Sequence, residues 1–422
     1  MTEKTGLYIH IPFCVKKCNY CAFLSFDAET SPRKEYTDAL VNEIIIRGET
    51  LGQPLIDTVF VGGGTPSVLD LSQMRDIMHA VNKSFRVKDG AEITIEANPA
   101  TLGRKDGVML AKLQAYKYMG FNRLSMGVQS MDNDRLHYVG RIHTAENVAR
   151  DMELIRRKGF DNVNLDLMFS IPGESTADAM DDLRKILELK PEHISCYSLQ
   201  IEEGTPFGMM AEAGELTEVP DEEDRKTYHE ICRILKEEGY EHYEISNFAK
   251  KSADDPDGPS PFRSKHNSLY WDMSEYIGVG LGASGFTGGR RYRNTADIEE
   301  YIRALGTMPA EGARPEVPLA EEHVNTAFDN ISEAVFTGLR RREGITYADA
   351  LLAMQPAGAE CPAPAGSMDA NQAEEEFWRI FAEAKEEAED YARRGLLIID
   401  NEGLRLTEQG IDISNSIMSL FV

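Results

Sequence analysis

LYIHIPFCVKKCNYC, residues 7–21, decides how this chain reads. Its first half is apolar and β-branched, which reads as a strand. Its second half places Cys14, Cys18 and Cys21 in a C-x3-C-x2-C spacing, directly after that strand. The other cysteines are scattered. Cys196 (in SCYSL) and Cys232 (in EICRIL) read as small core hydrophobes, and Cys361, in a Pro/Ala-rich stretch, reads as an exposed thiol. A disulfide framework does not suit a chain this long with no export signal.

Three clustered thiols ask for a metal. Structural zinc takes four ligands, usually two C-x2-C pairs, and there is no second pair here. His10 is available as a fourth ligand, but its place inside LYIHIPF reads as part of the strand. A [4Fe–4S] cluster normally takes four cysteines, so three would leave one iron open to a ligand. A zinc-bearing interaction protein stays as the reading from another class.

Five further β-like strings follow: TVFVGGGTP (58–66), EITIEANP (92–99), NRLSMGVQS (122–130), NVNLDLMFSIPG (162–173) and HISCYSLQIE (193–202). Segments with helical apolar spacing lie between them, such as 35–46, 71–85 and 146–159. This is the rhythm of βα units and a parallel sheet. Six units predict an α/β fold with a partial (β/α)6 barrel, whose active site sits at the carboxyl ends of the strands. The cysteines follow the first string and GGGTP ends the second. Glu96 and Gln129 lie near the ends of the third and fourth, and Asp166 interrupts the apolar run of the fifth. A buried charge needs a partner, so these groups are expected to meet a ligand. The plainer alternative pairs Glu96 with Arg123 and lets Asp166 cap a loop. GGGTP is not a P-loop, because no Gly-Lys-Ser/Thr follows.

The 422 residues are 42% hydrophobic and 27% charged, ordinary for a globular protein. Lys plus Arg is 45 against 71 for Asp plus Glu, a net charge of −26. That acidity argues against nucleic-acid or anionic-membrane binding. No apolar run is long enough for a membrane helix, and MTEKTGLYIH lacks a signal-like stretch, so the cytoplasm is expected.

Together the cysteine loop, GGGTP and the ENP of the third string resemble a radical S-adenosylmethionine (SAM) enzyme. YIHIPFC, GFNRLSMGVQS, GRIHT and NLDLMFSIPG are similar to the oxygen-independent coproporphyrinogen III oxidase family and its HemW-type heme-chaperone branch, over residues 6 to 422. The resemblance implies that Cys14, Cys18 and Cys21 hold the cluster. Its open iron would chelate SAM, and one electron would split the sulfonium to methionine and a 5′-deoxyadenosyl radical. It also implies Tyr8 near the sulfonium and Tyr20 beside the adenine. Gly63, Gly64 and Thr65 would meet the amino end, and Glu96, Gln129, Arg141 and Asp166 would complete the shell.

Two departures separate the chain from the oxidase. Phe23 stands where the oxidase has a fourth cysteine, and only 13 residues precede Cys14. HNSLYW (266–271) resembles the chaperone branch's heme motif, which implies His266 as axial ligand and Tyr270 and Trp271 as flat faces for a porphyrin. The expectation is a heme chaperone with cluster, SAM and heme, a heme-acceptor protein and an electron donor such as flavodoxin or ferredoxin. SAM cleavage is left open, and the oxidase is the alternative. The expected layout is a barrel core (1–245), an extension with a surface loop at 251–264 and HNSLYW (246–314), and a smaller C-terminal winged-helix-like domain (315–422). Inside that last part, GLLIIDNEGLRLTEQG reads as a hairpin and 354–369 as a disordered loop; the acidic, non-basic helices disfavour DNA binding.

Overall fold

The computed structural model describes residues 4–309, 312, 314–354 and 369–422. Each of the six strings forms a strand: β1 (Thr5–Ile11), β2 (Leu55–Gly63), β3 (Arg86–Ala97), β4 (Arg123–Gln129), β5 (Val163–Phe169) and β6 (His193–Ser198). They lie side by side in chain order and all run parallel. Leu7, Ile9, Ile11, Val59, Val61, Ile95, Leu124 and Leu165 are fully buried in them. Parallel strands covered on both faces need such continuous apolar runs.

Five crossover helices link these strands: α1 (Arg33–Thr50), α2 (Leu71–Ser84), α3 (Asp106–Tyr118), α4 (Ala145–Arg157) and α5 (Thr176–Glu188). Capping boxes start three of them, Asp70 with Gln73, Thr144 with Asn147 and Ser175 with Asp178. These satisfy amide donors that a helix start otherwise leaves open. The acidic stretch at 222–239 forms α6 (Asp221–Glu237), which buries Tyr228, Ile231 and Leu235.

The sheet extends beyond the six units at both edges. On the β6 side it adds β7 (Tyr240–Glu244) and β8 (Asn247–Lys250), in the order β6-β8-β7. Residues 240–250 form a hairpin. Glu244, fully buried, accepts a 3.1 Å bond from the Ser246 amide and a bond from Asn247 Nδ2, and so turns the chain without Gly or Pro. The loop at 251–264 carries no regular element and leads into α7 (Lys265–Trp271), capped by Ser264. On the β1 side, β9 (Glu275–Val279) pairs parallel to β1. It is followed by antiparallel β10 (Ser284–Thr287), β11 (Arg290–Asn294) and β12 (Leu319–Val324). Thus the twelve-stranded sheet runs past residue 315, where the C-terminal region was expected to begin. All six residues of β12 are exposed, and cross-strand pairs such as Arg290–Glu322 (2.6 Å) accompany its ladder.

After α8 (Ile298–Leu305) and β12 come α9 (Ala327–Gly338), β13 (Ile345–Thr346), α10 (Tyr347–Ala353), α11 (Ala370–Ile380) and α12 (Lys385–Arg393). The expected hairpin is β14 (Leu397–Ile399) with β15 (Gly403–Leu406). With β13 it makes a three-stranded sheet in the order β13-β15-β14. Phe377, Phe381 and Phe421 continue the apolar core from these helices into the main sheet. Residues 355–368, most of the expected loop and with it Cys361, lie outside the described residues.

Candidate functional site

A cavity of about 600 Å³ opens at the carboxyl ends of β1–β6. That volume is typical of a small-molecule site. Twelve of the thirteen residues singled out from sequence line it: Tyr8, Cys14, Cys18, Tyr20, Cys21, Gly63, Gly64, Thr65, Glu96, Gln129, Arg141 and Asp166. They come from five strands and the loops that follow them.

The cysteine loop is pinned from three sides. Phe13–Cys14 pair with Phe26–Asp27. The Asn19 amide donates to the Val139 carbonyl at 3.0 Å, and Asn19 Nδ2 donates to the Tyr138 carbonyl at 2.8 Å. The Phe207 amide donates to the Asn19 carbonyl at 2.9 Å. Below the loop, GGGTP runs so close that side chains do not fit. A Cβ on Gly63, whose φ is +110°, would lie 2.6 Å from the His10 ring, and one on Gly64 would lie 2.8 Å from the Phe13 carbonyl oxygen. The Gly63 amide donates to Glu96 Oε2 at 3.0 Å and the Gly64 amide to the Ile11 carbonyl at 2.9 Å. Both N–H groups are therefore used within the protein.

Cys14, Cys18 and Cys21 are unpaired and partly exposed to the cavity. Thr65 Oγ1 donates to Cys14 Sγ and Arg141 Nη1 to Cys18 Sγ, each at 3.6 Å. Burial pushes the Cys14 and Cys21 thiols up, so a metal would have to displace their protons. Among the described residues, no three His, Cys, Asp or Glu side chains converge as a single ion requires. A cubane, with its three cysteine-held irons at separate corners, needs no such convergence. Three cysteine sulfurs are the donor set of a [4Fe–4S] cluster with one open iron, whereas a closed zinc site takes four ligands.

Around the thiols runs a polar shell. Arg141 also donates to Asn98 Oδ1 at 2.6 Å and to the Gly127 carbonyl, while Asn98 Nδ2 donates to Thr65 Oγ1 at 2.9 Å. Asn98 thus links two expected residues, yet it was not singled out within the ENP string. Gln129 sits at a register shift in the β4–β5 pairing with φ +70°, a strained backbone at the cavity wall. Burial, then the charge of Asp166, pushes the Glu96 carboxyl up to about 8. Burial also raises Asp166, which accepts a 2.7 Å bond from Asn164 Nδ2. His10 lines the cavity as well. Its Nε2 donates to the Leu24 carbonyl at 3.3 Å and its Nδ1 accepts from Tyr8 OH at 2.9 Å, so it orients Tyr8.

His266 is the exception. It is 1% exposed, its Nδ1 bonds Thr58 Oγ1 at 2.7 Å, and its Nε2 bonds Tyr270 OH at 2.9 Å. Its ring stacks on Phe60 at 5.1 Å, and burial lowers its pKa to about 3. Glu92 accepts from the Lys265 and His266 amides at 3.2 and 3.1 Å. Thr58 and Glu92 belong to the lower parts of β2 and β3, so α7 packs away from the cysteines. The face of Trp271 is covered by the Arg340 guanidinium, 4.4 Å from the ring centroid. His266, expected from the resemblance as an axial ligand, stands outside the main cavity with both ring nitrogens hydrogen-bonded within the protein, and Arg340 covers one face of Trp271.

Comparison with known proteins gives a consistent picture. The radical SAM superfamily matches residues 8–186. The heme chaperone HemW of Bacillus subtilis is 36% identical over 340 residues, covering 80% of this chain and 84% of that protein. HemW of Lactococcus lactis is 30% identical over 422 residues, covering 100% and 98%. The solved structure of coproporphyrinogen III oxidase (HemN), a radical SAM enzyme from Escherichia coli, superposes with a TM-score of 0.78 at 22% identity. It covers 99% of this chain and 90% of that one, a likeness of fold.

Proposed function

This chain belongs to the radical SAM superfamily, in its HemW group, and from that membership we propose a heme chaperone that holds a [4Fe–4S] cluster and SAM and passes heme to an acceptor protein. The observation that carries the reading is the convergence of Cys14, Cys18 and Cys21 with nine other expected residues on one cavity. A cluster held by Cys14, Cys18 and Cys21 would, once reduced, supply one electron toward the sulfonium. The protein's part is to hold and orient. Thr65 and Arg141 donate to two of the sulfurs and so fix the side chains that would hold the cluster. Glu96 and Asp166 offer acceptors for ribose hydroxyls or an ammonium. Tyr8, held by His10, and Tyr20 supply flat walls for the nucleoside.

Heme enters this proposal as cargo, on the strength of the relatives. An acceptor protein and a one-electron donor such as flavodoxin or ferredoxin belong to it too, as does a cytoplasmic setting. Among the described residues no helix is long and apolar enough to cross a membrane. Phe23, 73% exposed at the cavity edge, occupies the place of the oxidase's fourth cysteine and favours the chaperone over the oxidase. The test is anaerobic incubation of reduced, cluster-loaded protein with SAM and coproporphyrinogen III, beside a heme titration followed in the Soret region. The expected result is about one heme bound per chain and no protoporphyrinogen. Protoporphyrinogen formation, or no heme binding, would overturn the assignment.

A further inference from the structure

Beneath the main cavity lies a second chamber of about 250 Å³. Tyr8, Glu96, Ser125, Asp166 and Tyr197 line both spaces and form the waist between them. Its floor is the His266, Asn267 and Tyr270 side of α7. Arg123 of β4 is its one lining lysine or arginine among the described residues. Arg123 is 2% exposed and its Nε has no hydrogen-bond partner. Among the described residues its guanidinium makes no hydrogen bond and no ion pair within 4.0 Å. A buried guanidinium in that state is costly, and a ligand of opposite charge would relieve it.

The surrounding side chains supply no such charge. Glu96 and Asp166 are the acidic residues of the lining, and both stand beyond ion-pair distance of Arg123. Burial raises both carboxyls, Glu96 to about 8, which weakens them further as counter-charges at neutral pH. Glu92, also on β3, is occupied with the Lys265 and His266 amides. Burial keeps His266 neutral and Tyr8, Tyr197 and Tyr270 protonated, so Arg123 is the one positive charge of the lining. Ser125, two positions along β4, shares its face of the strand. Ser125 Oγ accepts from Asn164 Nδ2 at 2.8 Å and keeps its own hydrogen for an acceptor in the chamber. One fixed charge matches one negative charge, and a guanidinium fork meets the two oxygens of a carboxylate in parallel. A dianionic phosphate would bring a second charge against Glu96 and Asp166. The space equals about eight water volumes, the size of a short acid or of one acidic arm.

We propose that the lower chamber is a carboxylate-binding site: the Arg123 guanidinium takes both oxygens of a single carboxylate, and Ser125 adds a hydroxyl donor. That carboxylate belongs either to a free short acid or to the arm of a larger acid that reaches in, such as a porphyrin propionate. The chemistry is the same in both cases. The site stands apart from the cluster and SAM readings, since neither the three clustered cysteines nor Arg141 line it.

The test is thermal unfolding of the full chain at neutral pH across a series of sodium propionate, with sodium chloride at equal ionic strength as reference. A free short acid predicts a saturable rise in melting temperature with propionate and not with chloride. Arg123→Gln should weaken that response by about tenfold or more, and Arg123→Lys, which keeps the charge and loses the fork, should fall between. Ser125→Ala should weaken it several-fold and is read in place of Arg123→Gln if that variant does not fold. The larger acid is tested in the same proteins with protoporphyrin IX, metal-free so that no axial ligand contributes, against its dimethyl ester, by porphyrin fluorescence. Binding of the acid that depends on Arg123, with ester binding that does not, assigns the chamber to an arm. If neither propionate nor the porphyrin acid loses affinity in the Arg123→Gln or Ser125→Ala protein, or if chloride acts as well as propionate, the site is overturned.

Discussion

At Gly63 two demands meet: a φ of +110° and a ring 2.6 Å from where a Cβ would sit. Gly63→Ala should therefore cost about 2 kcal/mol in strain and displace His10. Loss should appear in the urea midpoint and in iron loading together; a variant as stable and as well loaded as wild type would contradict this. The thiols, GGGTP and the carboxylates were legible because their chemistry is odd for a strand end. Asn98 and His10 were not. Each reads as an ordinary strand or turn residue until the fold brings it against Arg141 or Tyr8. Arg123 was weighed only as a salt-bridge partner for Glu96, and its isolation at 2% exposure is a property of the barrel interior.

Among the elements, α7 carries the sharpest consequence. Its His266 is a buried pin between β2 and Tyr270, so His266→Ala should lower unfolding stability by about 2–3 kcal/mol through two lost hydrogen bonds and a void. Heme affinity of the folded variant should stay at the wild-type value in a Soret titration; loss of heme with stability intact would restore the axial-ligand role. The six parallel strands were legible because strands covered on both faces must be apolar throughout. Two elements were hidden for the opposite reason. The β7–β8 hairpin turns at Ile245-Ser246 on a buried glutamate rather than on Gly or Pro. Strand β12 is an exposed edge, LAEEHV, with no apolar face to reveal it. HNSLYW announced an imidazole and two aromatics, but which end of the barrel they serve is decided by topology.

Over the whole molecule, buried histidines set the acid response. Burial lowers His10 and His242 to about 4 and His143 and His266 to about 3, and lowers His193 as well. The unfolded chain binds their protons near pH 6.5, so their contribution to stability is complete above that pH and is lost as pH falls toward 4. Glu96 works the other way: raised to about 8, it favours the folded state most below pH 4.5 and less as pH climbs to 8. Burial raises Glu43, Glu174, Glu244, Asp151 and Asp166 as well, so the histidine part is read as a difference: the melting-temperature advantage of cluster-free wild type over His193→Gln should fall steadily from pH 7 to pH 4.5. A flat or rising profile would contradict the buried, neutral histidines.

The most direct measurement is the iron and zinc content of anaerobically purified protein, with the electron paramagnetic resonance spectrum of the reduced sample taken before and after adding SAM. The account predicts about four irons per chain, a spectrum that changes when SAM is added, and loss of both in Cys14→Ser. About one zinc and no iron, or a cluster whose spectrum ignores SAM, would contradict it.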